Sequence, residues 1–280
     1  MKSNFQNNRI GVMQGRLSPI RNGRIQSFPL ENWRNEVAEV AQINIQKIEW
    51  TIDSEEFSSN PLVRSSGVNE INSSINEWKI TVPSVTCDYF MENPPWLDSE
   101  DTVQANLKSI INGMHQIDSE ILVIPLVDNS SIKDSSYTSY VMDYFKELEQ
   151  YLVDSNVRVA FETDLPPDEV CLFIENFSPS RFGINYDIGN SASLGFNPLE
   201  EFDSYGQRII NVHVKDRILN GTTVPLGEGN ADFELVFELL VGSGYKGNYI
   251  LQTARASDGN HAASIVKYSN QVIGWLEDRS

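Results

Sequence analysis

Short apolar, β-branched runs alternate along the chain with longer stretches whose apolar positions recur every three to four residues. The first pattern reads as buried strands and the second as amphipathic helices. VRVAFE, from Val157 to Glu162, sets the type: it is short enough for a strand, ends on a carboxylate, and leads into a polar turn and a helical pattern. Three later runs end the same way, FGINYDIGN delivering Asp187, IINVHVKD delivering His213 and NYILQT delivering Gln252.

The earlier chain repeats the alternation. RIGVMQGRLSP predicts a strand that carries Gln14 and Arg16 into a loop, and ENWRNEVAEVAQI places Trp33, Val37, Val40 and Ala41 on one helical face, with Glu31 or Asn32 at its start. IQKIEWTI reads as a strand ending near Glu49, followed by a helix over VRSSGVNEINSSINEW that Gly67 and several Ser and Asn weaken. ITVPSVTCDYF carries Asp88 at its end, and Pro83 within it marks either a bulge or a later start. DTVQANLKSIINGMHQI sets Val103, Leu107, Ile110, Ile111 and Met114 at helical spacing, with Asp101 as its N-cap. ILVIPLVDNSS and SSYTSYVMDYFKELEQYLVD supply a fourth strand and helix, and PDEVCLFIENF, NPLEEFDSY, DFELVFELLVGSG and HAASIVKYSNQVIGWLED the later helices.

Eight alternations predict an α/β fold, a single (β/α)8 TIM barrel with a parallel eight-stranded core spanning residues 1–280 as one domain. An open doubly wound sheet fits less well, because no GxGxxG loop follows the first strand. No linker, low-complexity tract or charge block divides the chain.

A hydrophobic share of 40% provides material for a substantial core. The net charge of −18 with no basic run argues against nucleic acid, whose phosphates need clustered Lys and Arg. Cys87 and Cys171 lack metal-site spacing and form no disulfide framework, which favours a reducing, cytoplasmic setting. No apolar run approaches the ~20 residues that span a bilayer, and MKSNFQNNRI lacks the apolar segment of a leader, so no membrane association is expected.

A parallel barrel points the C-terminal ends of its strands at one mouth. Glu162, Asp187, His213 and Gln252 therefore converge there as two carboxylates, an imidazole and an amide oxygen. That donor set suits one divalent ion, Mn2+, Mg2+ or Co2+ ahead of Zn2+. Taken singly, Glu162, Asp187 and His213 are better explained as strand-end residues that cap helices or pair with Lys; the coincidence on successive strands reverses that for the set.

FETD, NYDIGN, HVKDR and LGEGNADF together resemble the sugar isomerase/epimerase superfamily with a xylose isomerase-like barrel, and the likeness runs from first strand to last helix. The resemblance implies a metal-dependent isomerase or epimerase, or a related lyase, acting on a sugar, sugar phosphate or keto-polyol. It gives Glu162, Asp187 and His213 the first three ligand places. Gln252 stands where that family has its last glutamate. The family's epimerases exchange a substrate proton between two glutamates on opposite faces, and an amide can ligate through oxygen but cannot accept that proton. Glu162 then remains as the base for one-face transfer. The alternative is a catalytically impaired barrel that binds metal or sugar without turnover. Dimers and tetramers are frequent in that family, so a homo-oligomer is among the expected states. A DNA repair endonuclease with the same barrel would need more His and carboxylate ligands and a basic face, which three histidines and this charge do not supply.

Strand alternation gives Lys215 the orientation of His213, to polarise a substrate oxygen or to pair with Asp187 or Glu162, and turns Asp216 away. In LGEGNADF, Gly227 and Gly229 permit close backbone approach, Asp232 caps the next helix, and Glu228 is a candidate substrate contact. Arg16, Arg217 and Arg255 are the cations expected near the mouth, suited to a phosphate or carboxylate. Gln14, Glu49, Asp88 and Asn190 are candidates to hydrogen-bond sugar hydroxyls. His115 and His261 fall on helices away from the mouth, and Trp50, Tyr89, Phe90 and Trp96 read as core before site wall.

Overall fold

The computed structural model describes residues 8–21, 23–55 and 57–279. The first seven residues of the stretch read above for a leader lie outside them. Eight strands, β1 (Ile10–Met13), β2 (Ile48–Ile52), β3 (Ser84–Cys87), β4 (Ile121–Leu126), β5 (Arg158–Thr163), β6 (Phe182–Asp187), β7 (Ile209–Val214) and β8 (Tyr249–Leu251), form a closed barrel. Every neighbouring pair is parallel, and β1 closes the ring by pairing β2 on one edge and β8 on the other. The expected single barrel is the observed fold. Among the described residues no helix is long and apolar enough to cross a membrane.

The two-residue period of the strands sorts the side chains. In β5, Phe161 faces outward and meets Phe145, Phe173, Phe177 and Phe182 at ring distances of 5.0–6.0 Å, joining the strand to the surrounding helices. Ala160 and Glu162 face inward. The barrel interior is divided: Ile121, Val123, Ala160 and Ile210 form a small apolar cluster of their own. Elsewhere Glu49, Ser84, Thr86, Asn185, Asn211 and His213 form a buried hydrogen-bonded layer in place of the branched apolar residues that usually fill such a barrel.

Helices follow the predicted faces, with shifted boundaries. In α1 (Trp33–Gln42), Trp33, Val37 and Val40 are buried, and Asn32 is the N-cap position without a side-chain cap bond. In α2 (Gly67–Trp78), a Cβ on Gly67 would stand 2.2 Å from the Pro61 carbonyl oxygen, so the glycine that lowers helix propensity serves close packing. Pro83 lies just before β3, which accounts for its presence without a bulge. A short helix α3 (Asp88–Glu92) follows β3 directly, and α4 (Glu100–Gln116) begins after Ser99, so Asp101 sits in the first turn rather than at the cap. The chain continues through α5 (Ser135–Asp154), α6 (Pro167–Ile174), α7 (Ile188–Leu194), α8 (Pro198–Tyr205), α9 (Phe233–Gly242) and α10 (His261–Glu277). Asp232 caps α9 through Leu235 N, as its sequence position predicts.

One buried acid on α1 escaped the pattern reading. Glu36 shares the apolar face and accepts hydrogen bonds from the backbone of Gly15 (2.8 Å), Leu17 (2.8 Å) and Ser18 (3.1 Å), fixing the loop after β1. Burial raises its pKa against those bonds. Glu36→Ala would strand three buried donors and should cost about 3 kcal/mol or more in urea denaturation. Glu36→Gln, which keeps an acceptor oxygen, should recover part of the loss.

Candidate active site

Glu162, Asp187 and His213 each present one ligand atom, and these atoms lie within 4.8 Å of one another at the C-terminal end of the barrel. Their positions follow from where each strand stops. Glu162 is the penultimate residue of β5, Asp187 the last of β6 and His213 the penultimate of β7, all with inward side chains. Asp187 also opens α7, its Oδ1 accepting from Asn190 N at 2.8 Å, while its Oδ2 contacts Lys215 Nζ at 2.6 Å.

His213 is oriented from below. Its Nε2 meets Glu49 Oε1 at 2.7 Å, and Glu49 also accepts from Thr86 Oγ1 (2.5 Å), Ser84 Oγ (2.6 Å) and Asn211 Nδ2 (3.0 Å). A carboxylate only accepts, so Glu49 fixes the Asn211 amide, Asn211 fixes Asn185, and Asn185 Nδ2 is turned to Glu162 Oε2 (2.6 Å) and His213 Nδ1 (3.0 Å). The Nδ1 edge therefore faces Glu162 and Asp187, with Oε2 at 3.3 Å and Oδ2 at 3.9 Å.

The charges are strongly coupled. Burial works to lower the His213 pKa, but Glu49 and Glu162 outweigh it and lift the value to about 10. Burial also opposes ionisation of Glu162, yet His213, Lys215 and Asn185 hold its pKa below the ordinary value. At Asp187 burial prevails over Lys215 and His213 and raises the pKa. A proton on Nδ1 satisfies the carboxylates but opposes the Asn185 amide donor; a cation with open coordination satisfies the carboxylates without that proton.

Above this cluster opens a cavity of about 520 Å³, lined by residues that include Gln26, Asp53, Asp88, Glu92, Asp128, Glu162, Asn190, Lys215, Arg217 and Gln252. A larger cavity of about 810 Å³ lies at the opposite end of the barrel, where Lys47, Arg158 and Lys246 line it, and it does not reach the carboxylate–imidazole cluster. The chemistry, not the size, distinguishes the two.

The structure brings Asp88, Asn190, Arg217, Lys215 and Gln252 to the same cavity as Glu162. Asn190 Nδ2 donates to Glu162 Oε1 at 2.6 Å, and Arg217 Nη1 donates to Asn190 Oδ1 at 2.8 Å. Four other substrate candidates lie elsewhere. Glu49 is fully buried because β2 runs three residues beyond it, so it supports His213 rather than lining the mouth. Gln14 is buried against the Thr51 backbone at 3.1 Å. Arg16 is buried and gives its guanidinium to Ile25 O and Gln26 Oε1. Glu228 is exposed outside the cavity. Arg255 is committed to the carbonyls of Gly15, Ser18 and Ile25.

Gln26, Asp53, Glu92, Asp128 and Asp164 line the mouth without having stood out in the sequence. Gln26 is the most informative. Arg16 Nη2 fixes Gln26 Oε1, which accepts from Gln252 Nε2 at 2.8 Å, so Gln252 turns its Oε1 away from that bond. That buried oxygen has no hydrogen-bond partner within the described chain. Asp216 faces away from the mouth, as alternation predicts, but has a structural task. It accepts from the backbone of Gly227 (2.9 Å), Gly229 (2.8 Å) and Ala231 (3.1 Å), and a Cβ on Gly229 would fall 2.2 Å from its Oδ1.

The chain matches the family model for the xylose isomerase-like TIM barrel over residues 37–278 and belongs to that family. An L-ribulose-5-phosphate 3-epimerase of Salmonella paratyphi A is 37% identical over 92 residues, 32% of each chain. The chain spans less than two thirds of the length of the first curated relatives it matches. Among solved structures, the IOLI protein with a binding zinc atom superposes with a TM-score of 0.74 at 13% identity, covering 97% of this chain and 99% of that one. A xylose isomerase-like TIM barrel protein from Mycobacterium smegmatis in complex with magnesium gives 0.68 at 15% identity, covering 95% and 97%. These structural likenesses establish the shared fold.

Burial raises the Asp88 pKa to about 7 against the Gln26 hydrogen bond that lowers it, with smaller contributions in the same upward direction from Glu92, Glu162 and Asp53. A carboxyl raised in the folded state favours folding while protonated, so its contribution is full below the unfolded value near 3.8 and is lost as pH rises toward 7. Asp88→Asn, which can still accept from Gln26, should remove that loss. Urea denaturation should show the variant gaining on wild type between pH 4 and 7, by up to about 1.4 kcal/mol per pH unit.

Proposed function

We propose that the chain is a divalent-metal-dependent isomerase or epimerase of a sugar, sugar phosphate or keto-polyol, moving a proton beside a substrate carbonyl. The observation that carries this reading is the convergence of Glu162, Asp187 and the His213 Nδ1 edge, together with the buried, unpartnered Oε1 of Gln252. Those four residues would hold the ion, and the donor set suits Mn2+, Mg2+ or Co2+, with Zn2+ also accommodated. When bound, the ion supplies Lewis-acid polarisation of a substrate oxygen.

The remaining roles belong to the chain's own groups. Glu162, held ionised, takes the substrate proton and returns it. Asn190 donates to Glu162 at 2.6 Å and is itself held by Arg217 at 2.8 Å, so the two residues set the approach of Glu162. Lys215, nearly buried at the cavity edge and placed by its 2.6 Å contact with Asp187, donates to a substrate oxygen. Gln252 cannot accept a proton from the other face, which favours transfer on one face. The same residue supports a second reading, a barrel that binds sugar and metal without turnover.

Elemental analysis and Mn2+ calorimetry on wild type and His213→Ala test the site. Stoichiometric binding should be lost in the variant, and wild-type affinity should rise by about tenfold per pH unit below the His213 pKa of about 10, because metal and proton compete for Nδ1. In D2O, ketose proton exchange seen by NMR should fall about 10²-fold or more in Glu162→Gln. Sugar binding without exchange would favour the second reading, and epimerase activity gained in Gln252→Glu would identify a site one base short.

A further inference from the structure

A substrate held beside Glu162, Asp187 and His213, on the β5–β7 side, must extend across the cavity toward the loops after β2, β3 and β4. That far wall carries Asp53, Asp88, Glu92 and Asp128. Around the whole cavity six carboxylates, these four with Glu162 and Asp164, stand against three cations, Arg24, Lys215 and Arg217.

Each of the cations already has a partner within the chain. Arg24 is paired with Glu92 at 2.8 Å and Lys215 with Asp187 at 2.6 Å. Arg217 directs Nε and Nη2 to Gly221 O and Nη1 to Asn190. The donors on the far wall are likewise engaged by the chain's own carboxylates. Phe28 N bonds Asp53 at 2.8 Å, Ser54 N bonds Glu92 at 2.8 Å with its hydroxyl on the same oxygen, and Gln26 Nε2 bonds Asp88 at 2.6 Å. These are groups that elsewhere could hold a phosphate. A phosphate dianion entering here would have to displace those acceptors while facing the acidic groups of this wall. A hydroxyl group needs neither, since each carboxylate retains lone pairs to accept from it.

We infer that this mouth takes an unphosphorylated polyhydroxylated ketose or polyol and discriminates against sugar phosphates, with Asp53, Asp88, Glu92 and Asp128 as the residues that set the preference. The inference rests on the sugar reading above and narrows it. It separates this chain from the Salmonella relative, whose name carries a phosphorylated substrate.

The test is calorimetric binding to the full chain loaded with Mn2+, using matched pairs such as D-fructose with D-fructose 6-phosphate and L-ribulose with L-ribulose 5-phosphate. At least one free ketose should bind, and its ester should bind at least about tenfold more weakly, with the gap narrowing as salt rises. Asp128→Asn should narrow the gap at constant salt without tightening the free ketose. Asn tolerates the positive φ of 51° at this exposed position, so the variant should fold. Glu92→Gln supplies a second, independent charge removal with the same expected direction. An ester that binds as tightly as its ketose, or more tightly, overturns this inference and leaves the sugar reading standing. Metal binding with no affinity for any ketose or ester overturns the sugar reading, and this inference falls with it.

Discussion

The contact between Glu49 and His213 organises the barrel. Both side chains have no solvent exposure, and they meet at 2.7 Å inside the ring of strands. Burying a charge costs several kcal/mol unless partners replace its water. Here Ser84, Thr86 and Asn211 complete the coordination of the carboxylate, so it remains an acceptor in an interior that would ordinarily be filled with branched apolar side chains. From that fixed point the orientation of each group above it follows. The imidazole cannot rotate, the amides of Asn211 and Asn185 have one satisfactory setting each, and Glu162 receives a donor on its lower oxygen.

The strand ends were legible because each buried run stops at a polar residue, and Glu162, Asp187, His213 and Gln252 stand at or beside those stops. The same rule misplaced Glu49. A carboxylate in an apolar run looks like the run's end, but IEWTI continues as strand beyond it, and only the partners on β3 and β7 show why a charge is tolerated there. Arg16 and Arg255 were expected at the mouth by position, yet both are held by backbone carbonyls. The acids of the far wall come from loops with no periodicity, and loops give no direction to a side chain until the neighbouring strands are in place.

Two loops flanking β8 use the same device. Glu36 gathers three backbone donors of the loop after β1, and Asp216 gathers three from the glycine turn after β7. In each case a single buried carboxylate replaces the regular ladder a loop lacks. Neither was visible as a site residue, because its partners are main-chain groups that carry no sequence signature. The corner of the mouth around Gln252 is therefore built on fixed backbone, and the Gln26–Gln252 bond connects across it.

The seam between β1 and β8 joins segments far apart in the chain. Gln252 reaches Gln26 across 226 residues, Arg255 reaches Gly15 across 240, and Arg9 holds the carbonyls of Tyr245 and Gly247. Contacts of such sequence separation form late, since the loop they close is almost the whole chain. During synthesis the carboxylates of β5 and β6 emerge well before the strand that closes the ring between β7 and β1. Until that last strand docks, the half-built barrel exposes an unpaired, apolar sheet edge on β1 and on β7, and this interval is when the protein is most open to association with other chains.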